Sequence, residues 1–155
     1  MKKLTVVAGI VPLARGENLK LFLLDAGLEF DYIRVPLDDT WKSRKAEIIK
    51  RGYYIGSLPY VEVDGKIFGR AVPILRYIST KLGKYLGSTP EENQYIDAMA
   101  DISDDWFQDM KKAFFDKNKD ALKSYHDVER PTWLSIYEKY YSDVKSGPYI
   151  GLSYA

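Results

Sequence analysis

Leu58-Pro59 stands immediately before an alternating run, Tyr60-Val61-Glu62-Val63, which Asp64-Gly65 ends. A proline has no N–H to donate, so it suits the entry of a strand and not its middle. An X-Pro bond is also the one peptide bond that turns cis at modest cost. A cis bond here would face the Leu58 main chain outward, leaving its N–H and C=O free to pair with an extended ligand. The same residues suit a plain hairpin with a strand-edge proline, and for the segment taken alone that is the simpler reading. Other chemistry is sparse. The chain has no cysteine, so it has no disulfide and no thiol mechanism of its own. Its single histidine, His126, rules out His-rich metal sites and most Ser-His-Asp arrangements, and it reads as an exposed, neutral side chain.

These residues need elements to position them. Residues 4–9 read as a short buried strand. Residues 16–26 read as a helix closed by Gly27; Leu19, Leu21, Phe22, Leu23 and Leu24 make it too apolar for a surface helix. Asp31–Val35 alternates as a second strand, so the chain opens β-α-β, which implies a parallel pair with a right-handed crossover. Residues 42–51 form a charged helix. The hairpin at 60–69 turns on Asp64-Gly65, the pair that supplies positive φ angles. Residues 72–83 form a helix, with Ile74, Leu75 and Ile78 on one side and Gly83 at its end. The order β-α-β-α-β-β-α implies a small α/β sheet with helices on both faces. Around 85–90 lies a linker. Thr89 caps the next helix, Pro90 occupies its first turn, and Glu91 and Glu92 complement its dipole. Tyr95, Ile96, Met99, Ile102, Trp106 and Met110 recur at helical spacing to about residue 118. A further helix covers roughly 128–145. The aromatic residues of this all-helical region read as packing residues.

The 155 residues carry a net charge of +1, with 46% hydrophobic residues. That is enough for one compact domain, or for a small domain with part of a second. Charge near zero argues against a dedicated nucleic-acid binder. No apolar run approaches a membrane span, and the short apolar start, broken from Arg15 onward, does not read as a signal peptide.

Several segments together resemble the glutathione transferase family, the pi- and sigma-like cytosolic classes in particular. Ser57–Gly65 resembles the hairpin that carries the family's cis-proline, and Ile74-Leu75-Arg76-Tyr77-Ile78 is similar to the helix after it. Arg15-Gly16-Glu17-Asn18-Leu19-Lys20 resembles the start of the first helix. Trp41 with Lys45 resembles the pair placed near the glycine carboxylate of glutathione. Tyr95–Asp101 resembles the start of the long C-terminal-domain helix. The resemblance implies a thioredoxin-like domain over 1–84, a linker over 85–90, and a partial all-helical domain over 91–155. It implies glutathione as co-substrate, no metal, a cytoplasmic location and a homodimer, with neither nucleic acid nor membrane as partner. Glutathione contacts would come from Trp41, Lys45, Leu58, Pro59, Arg70, Ala71 and Asp101, the last acting across the dimer. A small apolar electrophile would sit near Ile10, Val11 and Trp106.

The chain departs from that pattern in three places. Gly9 stands where the family has a tyrosine, and no Tyr, Ser or Cys follows before Gly16. No thiol-activating hydroxyl can therefore be assigned, and Arg15 is left as a thiolate stabiliser by charge. Arg70-Ala71 replaces the usual Gln-Ser or Glu-Ser, so the γ-glutamyl carboxylate would meet helix N–H groups and the Arg70 guanidinium. Finally, Ser146–Ala155 stops where a capped helix should begin, with a short join near Ile150-Gly151, so a truncated or incomplete chain is expected. The implied function is a glutathione transferase-like enzyme. The alternatives are a non-catalytic scaffold domain, or a glutathione-dependent isomerase or peroxidase on the same fold.

Overall fold

The computed structural model describes residues 3–10, 14–116 and 118–142. The chain divides into two compact units, Met1–Leu82 and Gly83–Ala155.

The first unit is built on four strands: β1 (Leu4–Gly9), β2 (Asp31–Val35), β3 (Tyr60–Val63) and β4 (Lys66–Gly69). Their order across the sheet is β2-β1-β3-β4. The β1–β2 pair is parallel, joined through helix α1 (Arg15–Asp25), while β1–β3 and β3–β4 are antiparallel. Asp64 and Gly65 take φ angles of 49° and 82°, as a two-residue hairpin turn needs. Alternation along the strands sends residues to two cores. Leu4, Val6, Val61 and Val63 meet Leu19 and Leu23 of α1 and Ile74 and Ile78 of α3 (Ala71–Leu82) on one face. Val7, Val35 and Tyr60 meet Ile48 of α2 (Asp39–Lys50) and Tyr53 on the other.

Two details differ from the sequence reading. Helix α1 is not apolar all round. Leu19 and Leu23, one turn apart, are buried, while Leu21 and Leu24 point away from the sheet at 64% and 57% exposure. Helix α2 starts three residues earlier than expected, because the Asp38 carboxylate accepts from the Thr40 N–H at 2.8 Å and caps it. The same bond holds the Asp38 carboxyl below its ordinary pKa.

The second unit is helical among its described residues. Helix α4 (Pro90–Phe115) begins at a capping box, in which Thr89 Oγ1 accepts from the Glu92 N–H at 3.2 Å and Glu92 reaches back to the Ser88 N–H. The next helical stretch starts at Lys119, well before the expected 128. It comprises α5 (Lys119–Ser124), a π-helical turn (Tyr125–Glu129) and α6 (Arg130–Ser142). Asn118 caps its start. The wider π turn coincides with burial of Tyr125, and π turns depend on i→i+5 bonding that hydrophobic periodicity does not reveal. His126 is half-buried, not exposed, with its ring 5.5 Å from that of Tyr125. The join near Ile150-Gly151 lies outside the described residues.

Candidate functional site

Trp41 and Lys45 lie one turn apart on α2, so their side chains project from the same side. Trp41 is half-buried and packs with Leu58 against the Val7–Val35–Ile48–Tyr53–Tyr60 cluster. Lys45 is exposed. Its Cε lies 3.0 Å from where a β-carbon on Gly56 would project, so the lysine stem runs over that glycine. Gly56 itself has φ 53°, a conformation that a β-carbon would strain.

The loop from α2 to β3 is tightly tied. The Tyr53 N–H donates to the Ile48 carbonyl at 2.9 Å, and the Gly56 N–H to the Tyr53 carbonyl at 3.1 Å. The Tyr53 and Ser57 hydroxyls are 2.8 Å apart and hydrogen-bonded. Leu58-Pro59 is cis. No main-chain hydrogen bond joins Leu58 to another described residue. Just beyond, Arg44 Nη1 donates to the Tyr60 hydroxyl at 3.1 Å. Burial pushes the Tyr60 phenol above its ordinary pKa, with Arg44 pulling the other way.

Arg70 is exposed with φ 70°, and its carbonyl accepts from the Ile74 N–H at 3.0 Å as α3 begins. Ala71 is the first helical residue and packs its methyl against the first core cluster. Pro73 falls in the first turn, where its missing N–H costs nothing. The start of α3 thus offers main-chain donors and one flanking guanidinium.

The end of β1 is apolar. A β-carbon on Gly9 would meet the Leu37 and Leu58 side chains at 3.7 and 3.8 Å. Ile10 is 54% exposed. Its N–H donates to the Val35 carbonyl at 3.1 Å, and its carbonyl accepts from Arg34 Nη1 at 3.4 Å. Arg34 also pairs with Glu17 in the first turn of α1, and Glu17 accepts from the Tyr32 hydroxyl at 3.0 Å. Burial, then the Glu17 hydrogen bond, pushes the Tyr32 phenol up to about 12. Arg15 opens α1 half-buried, and no side chain caps that helix, because Ala14 occupies the N-cap position. Val11 lies outside the described residues.

In the second unit, Asp101 sits on an exposed face of α4 along a shallow groove that it shares with Asn93, Asp97 and Asp105. Trp106 is half-buried. Its indole N–H donates to the Tyr125 hydroxyl at 2.8 Å, and its ring lies 6.5 Å from that of Trp133 and 5.3 Å from that of Tyr137. These bonds place Trp106 in the packing of the helices. Among the described residues, no group of three or more His, Asp or Glu side chains could hold a metal ion, and no helix is long and apolar enough to cross a membrane.

The site residues named from sequence thus fall into separate groups. Trp41, Lys45, Leu58 and Pro59 converge on the loop before β3, and Arg70 and Ala71 stand at the start of α3. Asp101 and Trp106 belong to the other unit. Sequence reasoning missed Tyr53, Ser57, Arg44, Glu17 and Arg34. Only the Tyr53-Tyr54 pair, bulky residues in a loop closed by Gly56, offered a signal.

No family model matches the chain. It is 30% identical over 150 residues to glutathione S-transferase 4 of Caenorhabditis elegans, an alignment that covers 86% of this chain and 72% of that protein. The chain belongs to the glutathione S-transferase family. A solved glutathione S-transferase of Ascaris lumbricoides superposes with a TM-score of 0.66 at 25% identity, covering 83% of this chain and 61% of that one. The hematopoietic prostaglandin D synthase of Gallus gallus is 29% identical over 135 residues, covering 84% of this chain and 63% of that protein. The chain therefore spans about three-fifths to seven-tenths of the length of these family members. As in the solved transferase, the architecture is a thioredoxin-like domain followed by an all-helical one.

Proposed function

We propose that this chain binds glutathione along Trp41, Lys45 and Leu58 and uses it as a transferase does, on small apolar electrophiles. One observation carries the reading: α2 and the β3 entry bring to one loop Trp41, Lys45 and a Leu58 main chain that is unpaired among the described residues. Glutathione is an extended tripeptide, and such a ligand pairs with an unpaired main chain as a short added strand. The Lys45 ammonium and the Trp41 indole N–H are donors for its glycine carboxylate. The start of α3, with Arg70 beside it, suits the γ-glutamyl carboxylate. Arg15, at the uncapped start of α1, supplies the positive charge that favours a thiolate. Ile10, exposed at the end of β1, is the proposed contact of the second substrate. Calorimetry with glutathione, followed by turnover of a general aromatic electrophile, tests the proposal. Micromolar to millimolar binding with measurable turnover is expected; absence of both would overturn it.

A second reading draws on Gly9. Among the described residues, the place of the family's hydroxyl opens onto the Leu37 and Leu58 side chains, which cannot hydrogen-bond a thiolate. That observation supports a glutathione-binding module without transferase chemistry. Binding without turnover over a panel of electrophiles would favour it.

A further inference from the structure

The two proposed glutathione-gripping segments share one property: each acts mainly through its backbone. Leu58 offers its N–H and C=O, and the start of α3 offers N–H groups beside Ala71, whose side chain cannot donate. Main-chain donors cannot adjust by changing rotamer, so the spacing of the segments decides whether one ligand can span both.

Tyr53 connects them. Its hydroxyl is bonded to Ser57, the residue before Leu58. Its ring also fills the space where a side chain would stand on Gly69, the residue before Arg70; a β-carbon there would overlap the phenol. The Tyr53 side chain is 9% exposed and packs at a ring distance of 6.3 Å from Tyr60, whose main chain pairs with Gly69 in the β3–β4 ladder. The Tyr53 main chain is fixed as well, through its hydrogen bonds with Ile48 and Gly56. One buried phenol is thereby wedged between the residues that immediately precede the two gripping segments.

We infer that Tyr53 is a positioning residue that sets the spacing between the Leu58 backbone and the start of α3, and so matches the site to a ligand with a γ-glutamyl-cysteinyl span. The inference rests on the glutathione site proposed above. It makes Gly69 and Ser57 parts of the same device, one by yielding space and the other by accepting or donating a hydrogen bond.

Three ligands separate this role from a general structural one. Glutathione and γ-glutamylcysteine span both segments, whereas cysteinylglycine reaches Leu58 and α2 but not α3. Tyr53→Phe leaves the ring edge in the Gly69 notch and removes the hydroxyl, the atom that bonds Ser57 and stands nearest Gly69. It should weaken glutathione and γ-glutamylcysteine about fivefold, the scale of one lost neutral hydrogen bond, and leave cysteinylglycine competition unchanged. Ser57→Ala should give the same pattern, and the double variant should be no worse than either single one. Equal weakening of all three ligands, or full glutathione affinity in both variants while the unaltered protein binds, overturns the positioning role alone. Failure of the unaltered protein to bind glutathione overturns the site and this inference together.

Discussion

At the residue scale, the sulfur chemistry of the proposed site turns on Gly9 and Arg15. A hydroxyl at the end of β1 would reach a thiolate by a hydrogen bond, but among the described residues a side chain on Gly9 would meet the methyl groups of Leu37 and Leu58. A thiolate near apolar surface is disfavoured by desolvation, which raises a thiol pKa. The proposed opposing influence is the positive charge of Arg15, which opens helix α1 without a side-chain cap. A nearby cation favours the charged form, so removing it moves the thiol pKa up. Arg15→Ala is therefore expected to raise the pKa of bound glutathione by about one unit, worth about 1.4 kcal/mol. Ultraviolet titration of the bound thiolate measures this directly. Turnover should fall more at pH 6.5 than at pH 9, where the thiol ionises unaided. An unchanged titration curve would exclude Arg15 from this role.

At the element scale, strand and helix order was legible because turn chemistry and periodicity agreed. Asp64-Gly65 fixed the hairpin, Gly27 and Gly83 closed two helices at φ 65° each, and Thr89-Pro90 opened a third. Trp41 and Lys45 were named together by the family resemblance alone; the helix expected from residue 42 left Trp41 off it, and the earlier start of α2 puts both on one helix, one turn apart. What stayed hidden depends on residues far apart in sequence. The Arg34–Glu17 pair joins β2 to α1, and the Tyr53 phenol occupies a notch that Gly69 leaves sixteen positions later. No local pattern encodes such contacts. The approach of α1 to the sheet is of the same kind: a β-carbon on Gly16 would overlap the Ala8 methyl and crowd the Tyr32 hydroxyl at 3.0 Å. Helix propensity favours alanine over glycine by up to about 1 kcal/mol. Here crowding against a buried strand outweighs it, and Gly16→Ala should lower stability by about 1–3 kcal/mol. Urea denaturation followed by tryptophan fluorescence and circular dichroism would register the loss. A stabilised variant would show that α1 can move off β1 freely.

At the scale of the whole molecule, a net charge of +1 conceals a separation of sign. Helix α2 of the first unit carries Lys42, Arg44, Lys45 and Lys50 against Asp39 and Glu47, whereas one face of α4 in the second unit presents Asp97, Asp101 and Asp105. Opposite charges of this kind steer two copies of one chain together in preference to a neutral surface. We propose a homodimer in which Asp101 of one copy meets the γ-glutamyl ammonium held by the other, and this charge complementarity supports it. A charge-assisted hydrogen bond of this type is worth about 1.5–3 kcal/mol, so Asp101→Asn should weaken glutathione binding about tenfold. The effect carries a concentration signature that a contact within one chain would lack. It should be full where light scattering reports a dimer, fade on dilution to the monomer, and shrink as salt screens the acidic and basic faces. A tenfold loss that persists in the dilute monomer would place Asp101 on its own chain's ligand. A protein that is monomeric at every concentration, and indifferent to Asp101→Asn, would remove both the partner and the residue from the site.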